Sequence, residues 1–235
     1  MDIIAVEKLN SGYGKSQVLF DVSLRVIKSS ICAILGPNGS GKSTLLKSIF
    51  GLTSVYDGSI KYNGIEISNM KPHEIAKLGI SYLPQVENLY ANLSVRENLI
   101  MAGYILSKEK RVSRIKEVLE IFPTLNEFLE REAYTLSGGE RQMLVMAKGL
   151  MRQPALMMFD EPSANLAPKI VDEIFEKIKA LKELGITIIL VEQNTKKALE
   201  IAENTCLLVS GGINYYGNSK DLAANEEFGK LFLGL

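Results

Sequence analysis

Residues 31–51 read ICAILGPNGSGKSTLLKSIFG, and the order of their parts decides the fold. Ile31 to Leu35 form an unbroken apolar run long enough for one buried strand, and Ser43 to Phe50 read as the opening turns of a helix stopped by Gly51. Between them lie Gly36, Pro37, Asn38, Gly39, Ser40 and Gly41. Glycines at this spacing let backbone N–H groups turn inward as an anion nest, and the following helix adds the positive end of its dipole. A triphosphate fits such a cradle: Lys42 reaches the β- and γ-phosphates as a mobile cation, Ser43 is placed to ligate Mg²⁺, and Thr44 to donate to the α-phosphate. A plain glycine-rich turn with a surface lysine explains part of this pattern; the complete spacing in its strand–loop–helix setting favours the phosphate site.

A phosphate loop needs a metal-binding acid at the end of another buried strand. Residues 155–159, ALMMF, are such a strand, followed at once by Asp160, Glu161 and Pro162. Asp160 is the candidate Mg²⁺ partner, usually through water, and Glu161 projects toward the γ-phosphate as general base or polariser of the attacking water. Standing alone, two acids after a strand would be a solvated exit; beside a phosphate loop the catalytic reading is preferred. A further element is Leu136-Ser137-Gly138-Gly139-Glu140. Ser-x-x-Glu before an apolar stretch is a capping box, which accounts for Ser137 and Glu140 by helix initiation alone. It leaves the glycines unexplained, and two glycines in a first turn bare the N–H groups to a second anion at some cost in helix propensity. Two phosphate-reading helix starts in one chain imply a shared ligand, within one molecule or across a dimer.

These motifs, over nearly the whole length, resemble the nucleotide-binding subunits of ATP-binding cassette (ABC) transporters. The resemblance implies an α/β fold: a phosphate-loop NTPase core with a mostly parallel sheet, an N-terminal antiparallel β subdomain and an inserted α-helical subdomain. It implies ATP and Mg²⁺ as cofactors, and a head-to-tail dimer in which one subunit's phosphate loop faces the other's Ser137, Gly138, Gly139 and Glu140 across ATP. Tyr13, in Ser11-Gly12-Tyr13-Gly14-Lys15, falls where the family stacks an aromatic on adenine, although a turn tyrosine serves equally for packing. Gln85, in Tyr82-Leu83-Pro84-Gln85, falls where the family's glutamine contacts Mg²⁺ and senses the membrane partner. Residues 163–167, SANLA, match the loop that touches the opposite subunit.

Finer features resemble the second of the two ATPase subunits of branched-chain amino-acid importers. They are Glu161-Pro162-Ser163 continuing to Leu166-Ala167-Pro168, LVEQN at 190–194, PHEI at 72–75 and the tail ending Phe232-Leu233-Gly234. Three positions depart from common patterns: Gln193 stands where most ABC ATPases carry a γ-phosphate-contacting histidine, Asn165 replaces a common glycine, and Gln85 stands where this branch often has glutamate. Glutamine at 193 is itself usual in this branch, and with Glu161 and Lys42 it completes the implied catalytic set. The implied partners are a second copy or a sister ATPase, membrane permease subunits and, indirectly, a solute-binding protein. The implied location is cytoplasmic, peripheral on the inner face of the cell membrane.

Composition agrees. The 235 residues are 46% hydrophobic with a formal net charge of zero, enough for one α/β domain over 1–235 and without the cationic footprint of a nucleic-acid binder. The longest apolar runs fall far short of the ~20 residues that cross a bilayer. No cationic start with an apolar signal segment precedes the first strand at Ile3, so secretion is unsupported. Cys32 and Cys206 sit in separate apolar runs and read as reduced, buried thiols; His73, after Pro72, reads as a surface position at a helix start. Alternating patterns before residue 30 suggest antiparallel strands, and from Ser94 to about Arg152 the chain reads as helices. The inserted helical subdomain is therefore expected at approximately 86–152. Within residues 86–93, Leu89, Tyr90 and Leu93 are either anchors for a permease helix or a staple for the next helix. A soluble ABC-type ATPase acting on DNA or ribosomes, transport of a different solute, and a nucleotide sensor without turnover are the competing functions. Glu161 opposes the last, and no Asn-Lys-x-Asp stretch supports a GTPase.

Overall fold

Side chains on β3 (Ile31–Leu35) alternate between two cores, which is the geometry of a strand buried on both faces. Ile31, Ala33 and Leu35 face one apolar cluster, Cys32 and Ile34 the other. The computed structural model describes residues 1–86 and 89–224. Ahead of β3, β1 (Asp2–Tyr13) and β2 (Ser16–Ile27) form an antiparallel hairpin. After it come α1 (Lys42–Ile49), β4 (Ser54–Tyr62), the short β5 (Ile65–Glu66), α2 (Pro72–Lys77) and β6 (Ile80–Leu83). Strands β2-β1-β4-β5 make an antiparallel sheet of four, as the alternation before residue 30 suggests.

Between β6 and its partner strand β7 (Leu156–Asp160) the chain runs through α3 (Val95–Ala102), α4 (Lys108–Ile121), two 3₁₀ turns at Pro123–Phe128 and Ala133–Thr135, and α5 (Gly138–Leu150). The remaining elements are α6 (Pro168–Glu183), β8 (Thr187–Val191), α7 (Thr195–Ile201), β9 (Asn204–Val209), β10 (Gly212–Asn218) and α8 (Ser219–Ala224). The second sheet has the order β10-β9-β3-β8-β7-β6, parallel throughout except for the β9–β10 hairpin. On one of its faces Ile31, Met157, Phe159, Ile188 and Leu190 pack with the helices from α3 to α6. On the other, Cys32, Leu156, Met158, Ile189 and Val191 pack with α1 and the antiparallel sheet. The central strands β3, β7 and β8 are thus buried on both faces, and their apolar residues read as unbroken runs rather than an alternation.

Two boundaries differ from the sequence expectation. Asp160 belongs to β7, where it pairs with Val191, because the ladder continues one residue past Phe159. At the other end Ala155 lies outside the strand, its N–H donating to Gly79 O. Cys32 and Cys206 are buried and free, and His73 is exposed in the first turn of α2. Among the described residues no helix is long and apolar enough to cross a membrane. Glu87, Asn88 and the tail at 232–234 lie outside the described residues.

Candidate active site

β3 delivers the chain into the phosphate loop at Gly36, whose φ of 145° and close approach to the Leu208 carbonyl exclude any side chain. The loop ends at Gly41, the N-cap of α1, which has no side-chain cap and no acidic residue in its first turn. The positive end of that helix is therefore left for an exogenous anion. Pro37, Asn38 and Gly39 form the exposed rim. Ser40 turns inward: its hydroxyl is buried against Gly36 without a hydrogen-bond partner, its N–H donates to Pro37 O (3.2 Å), and its carbonyl accepts from Gly211 N (3.0 Å).

The Lys42 ammonium is folded back into the loop, donating to Gly36 O (2.9 Å) and Pro37 O (3.0 Å). Burial pulls its pKa down, and the charges of Glu161 and Asp160 oppose that shift. A phosphate oxygen is a stronger acceptor than a carbonyl for this cation. Ser43 Oγ donates to Asp160 Oδ1 (2.8 Å), and the other carboxylate oxygen accepts from Tyr82 OH (3.0 Å). Thr44 follows in the first turn, buried. Among the described residues no group of three or more His, Cys, Asp or Glu side chains is placed to hold a metal. One hydroxyl and one carboxylate beside a phosphate cradle instead suit Mg²⁺, a hard ion that takes few protein ligands and shares the nucleotide's phosphate oxygens.

Glu161 follows β7 in a left-handed conformation, φ 51°, held by its N–H to Val191 O (2.9 Å). A non-glycine residue there is strained, and such strain concentrates at functional sites. Its Oε2 accepts from Gln193 Nε2 (2.7 Å) and Gln85 Nε2 (3.1 Å). Two loops far apart in sequence thereby meet at one carboxylate. The contact made by the Gln85 amide is with Glu161, not with the Ser43–Asp160 pair. A cavity of about 550 Å³ opens beside them, lined by Glu161, Gln85, Gln193, Asn165, Glu192 and Lys197. Asn165 has φ 61°, and asparagine is one of the few residues that accept the left-handed region glycine would otherwise fill.

Ser137 and Glu140 form a complete capping box at the start of α5: Ser137 Oγ accepts from Glu140 N (3.3 Å) and Glu140 Oε2 from Ser137 N (2.7 Å). The missing side chains of Gly138 and Gly139 have an intrachain reason as well. A Cβ on Gly139 would lie 2.7 Å from Ile170 Cγ2, and one on Gly138 3.0 Å from Leu166 Cδ2. Among the described residues no hydrogen bond or ion pair joins 137–140 to 36–44 in the same chain. Tyr13 is 44% exposed, its ring 6.0 Å from Lys47 Nζ. A hydroxyl cluster of buried Ser11 and Ser48 with half-buried Thr53 ties its strand to α1.

Sequence reasoning missed Tyr82 and Asn98. Tyr82 was in view within the YLPQ stretch, but only the β6–β7 register brings its hydroxyl to Asp160. Asn98 is fully buried and organises the segment before α3, donating to Tyr90 O, Leu93 O and Ser94 O and accepting from Tyr90 N. Of the three apolar candidates there, Leu89 packs partly against the core while Tyr90 is 52% exposed, under the Lys148 ammonium at 4.8 Å.

A phosphate loop feeding one helix, an acid pair at the end of a second parallel strand of the same sheet and a serine-capped second helix that opens on two glycines define a nucleoside triphosphatase of the cassette type. The family model described as "ABC transporter" matches residues 19–164, and the chain belongs to that family. It is 52% identical to the probable branched-chain amino acid transport ATP-binding protein LivF of Archaeoglobus fulgidus, over 97% of each chain. It is 39% identical to the high-affinity branched-chain amino acid transport ATP-binding protein BraG of Pseudomonas aeruginosa, over 99% of this chain and all of that one. A solved dimeric ATP-binding cassette in a post-hydrolysis state with ADP and Pi aligns at a TM-score of 0.81 and 25% identity, covering 92% of this chain and 98% of that one.

Proposed function

We propose that this chain is the ATP-hydrolysing subunit of an importer for branched-chain or related amino acids, driven by ATP-dependent pairing of two such subunits. The observation that carries the chemistry is the Ser43–Asp160 hydrogen bond between the start of α1 and the end of β7, with the charge of the next residue, Glu161, also acting on Lys42. Lys42, the loop N–H groups and the start of α1 bind the β- and γ-phosphates. Ser43 and Asp160 would hold Mg²⁺, with Gln85 on the adjoining Glu161, and the bound ion would neutralise charge on the phosphates. Glu161 orients and takes a proton from the attacking water, and Gln193 fixes that carboxylate through its amide. Tyr13 stacks on the adenine, and Ser137 to Glu140 close the nucleotide of the opposing subunit.

The amino-acid cargo is supported by the names of the two relatives, both close to this chain in length. The same evidence disfavours a soluble ABC-type ATPase unconnected to transport. The opposing subunit is a second copy or a sister ATPase; the permease binds the helical insertion at approximately 86–152, which holds the chain on the inner face of the membrane. Nucleotide binding and phosphate release by variants test the chemistry. Lys42→Ala is expected to weaken ATP binding, whereas Glu161→Gln is expected to keep binding and lose turnover by about a hundredfold or more. Near-normal phosphate release from Glu161→Gln would remove it from its role.

A further inference from the structure

Glu192 is an ionisable side chain that the mechanism above leaves unused, and it is 2% exposed immediately after β8. Its carboxylate accepts from Ser163 N (3.1 Å), Ser163 Oγ (2.8 Å), Gln193 N (3.2 Å) and Asn194 N (3.5 Å). Burial raises its pKa and these donors oppose the rise. A buried carboxylate is costly unless its lone pairs are filled, and here all four contacts are donors that an acceptor-only group satisfies.

Those donors come from two different loops. Ser163 opens residues 163–167, on the rim of the cavity beside Glu161. Gln193 and Asn194 follow β8, and the Gln193 side chain is the one that reaches Glu161 at 2.7 Å. The loops leave adjacent strands whose ladder ends at Asp160 and Val191, and Glu192 bridges them one residue beyond that end.

We propose that Glu192 is a positioning residue that locks the Ser163 loop to the backbone of Gln193, so that displacement of that loop by an opposing subunit moves the amide at Glu161. The inference rests on the roles given above to Glu161 and Gln193. It explains a carboxylate at this site: an amide of the same shape would bring N–H donors against donors.

The test uses the full chain at a concentration where the wild type hydrolyses ATP, with phosphate release, affinity for a fluorescent ATP analogue, and thermal midpoint measured on each variant. Glu192→Gln is expected to lower kcat about tenfold while affinity stays within about twofold. Added to Gln193→Ala, it is expected to cost little more, because both act on Glu161 through the same side chain. Ser163→Ala removes one donor without burying a new one, and is expected to lower kcat less at an unchanged midpoint. An unchanged kcat in Ser163→Ala, an independent tenfold loss in the double variant, or a joint fall of affinity, kcat and midpoint in Glu192→Gln would each overturn the proposal. Normal turnover in Gln193→Ala would remove the underlying reading of Gln193 as well. Slow Gln193→Ala beside normal Glu192→Gln would remove Glu192 alone.

Discussion

Gln193 meets Glu161 through an amide, and that choice has a consequence for pH. An amide N–H₂ donates at every pH in the working range, whereas an imidazole donates from both nitrogens only when charged. Turnover by this chain is therefore expected to carry no titration limb from residue 193. Gln193→Ala removes the donor 2.7 Å from Glu161 and is expected to slow phosphate release about ten- to a hundredfold. Gln193→His is expected to retain activity and to gain a dependence on pH near neutrality, with the adjacent carboxylate favouring the charged ring. The readout is kcat against pH for the three proteins. Unchanged turnover in the alanine variant would leave Gln193 as a strand-end residue.

At the scale of elements, β3 and β9 lie side by side and bring Cys32 and Cys206 into the same core beneath the phosphate loop. Burial pushes the Cys32 thiol from its ordinary 9.0 up to about 12, aided by the charge of Glu203, and pushes Cys206 up as well. Neither presents a thiolate at neutral pH, so both are expected to resist a thiol reagent in the native protein and to react fully in denaturant. The sign of the linked stability follows. Between pH 9.0 and about 12 the folded state keeps the Cys32 proton that the unfolded chain has lost, so stability is present below pH 9 and falls as pH rises. Denaturation midpoints of Cys32→Ala and wild type across that range measure the difference, with the wild type expected to lose more on the alkaline side.

For the whole molecule the decisive fact is that the phosphate loop and the serine-capped, glycine-led start of α5 occupy one chain without a bond between them among the described residues. Each is a helix N-terminus able to take phosphate, and a second copy facing head to tail supplies the missing half. Mg-ATP is expected to drive Glu161→Gln, in which hydrolysis is blocked, into a dimer with itself or with a sister ATPase. Ser137→Arg is expected to prevent it by filling the space for the γ-phosphate. Sedimentation with and without nucleotide, the sister subunit included, reads the outcome; an active protein that stays monomeric throughout would contradict it.

The phosphate loop, the acid pair, the capping box and the parallel strands were legible in the sequence because each rests on local rules: glycine spacing, unbroken apolar runs, a serine three residues before a glutamate. Those rules also place Lys42, Ser43, Asp160 and Glu161 at element ends, where side chains face solvent or ligand. They say nothing of which distant loops share a carboxylate. Convergence of Gln85 and Gln193 on Glu161, the Tyr82 bond to Asp160 and the Glu192 bridge to Ser163 arise from the register of β6, β7 and β8. Register is set by long-range pairing within a sheet whose central strands are buried on both faces, so no alternation in those strands records it. The packing of Gly139 against Ile170 has the same origin: a missing side chain is visible in the sequence, but the neighbour that requires its absence belongs to another helix.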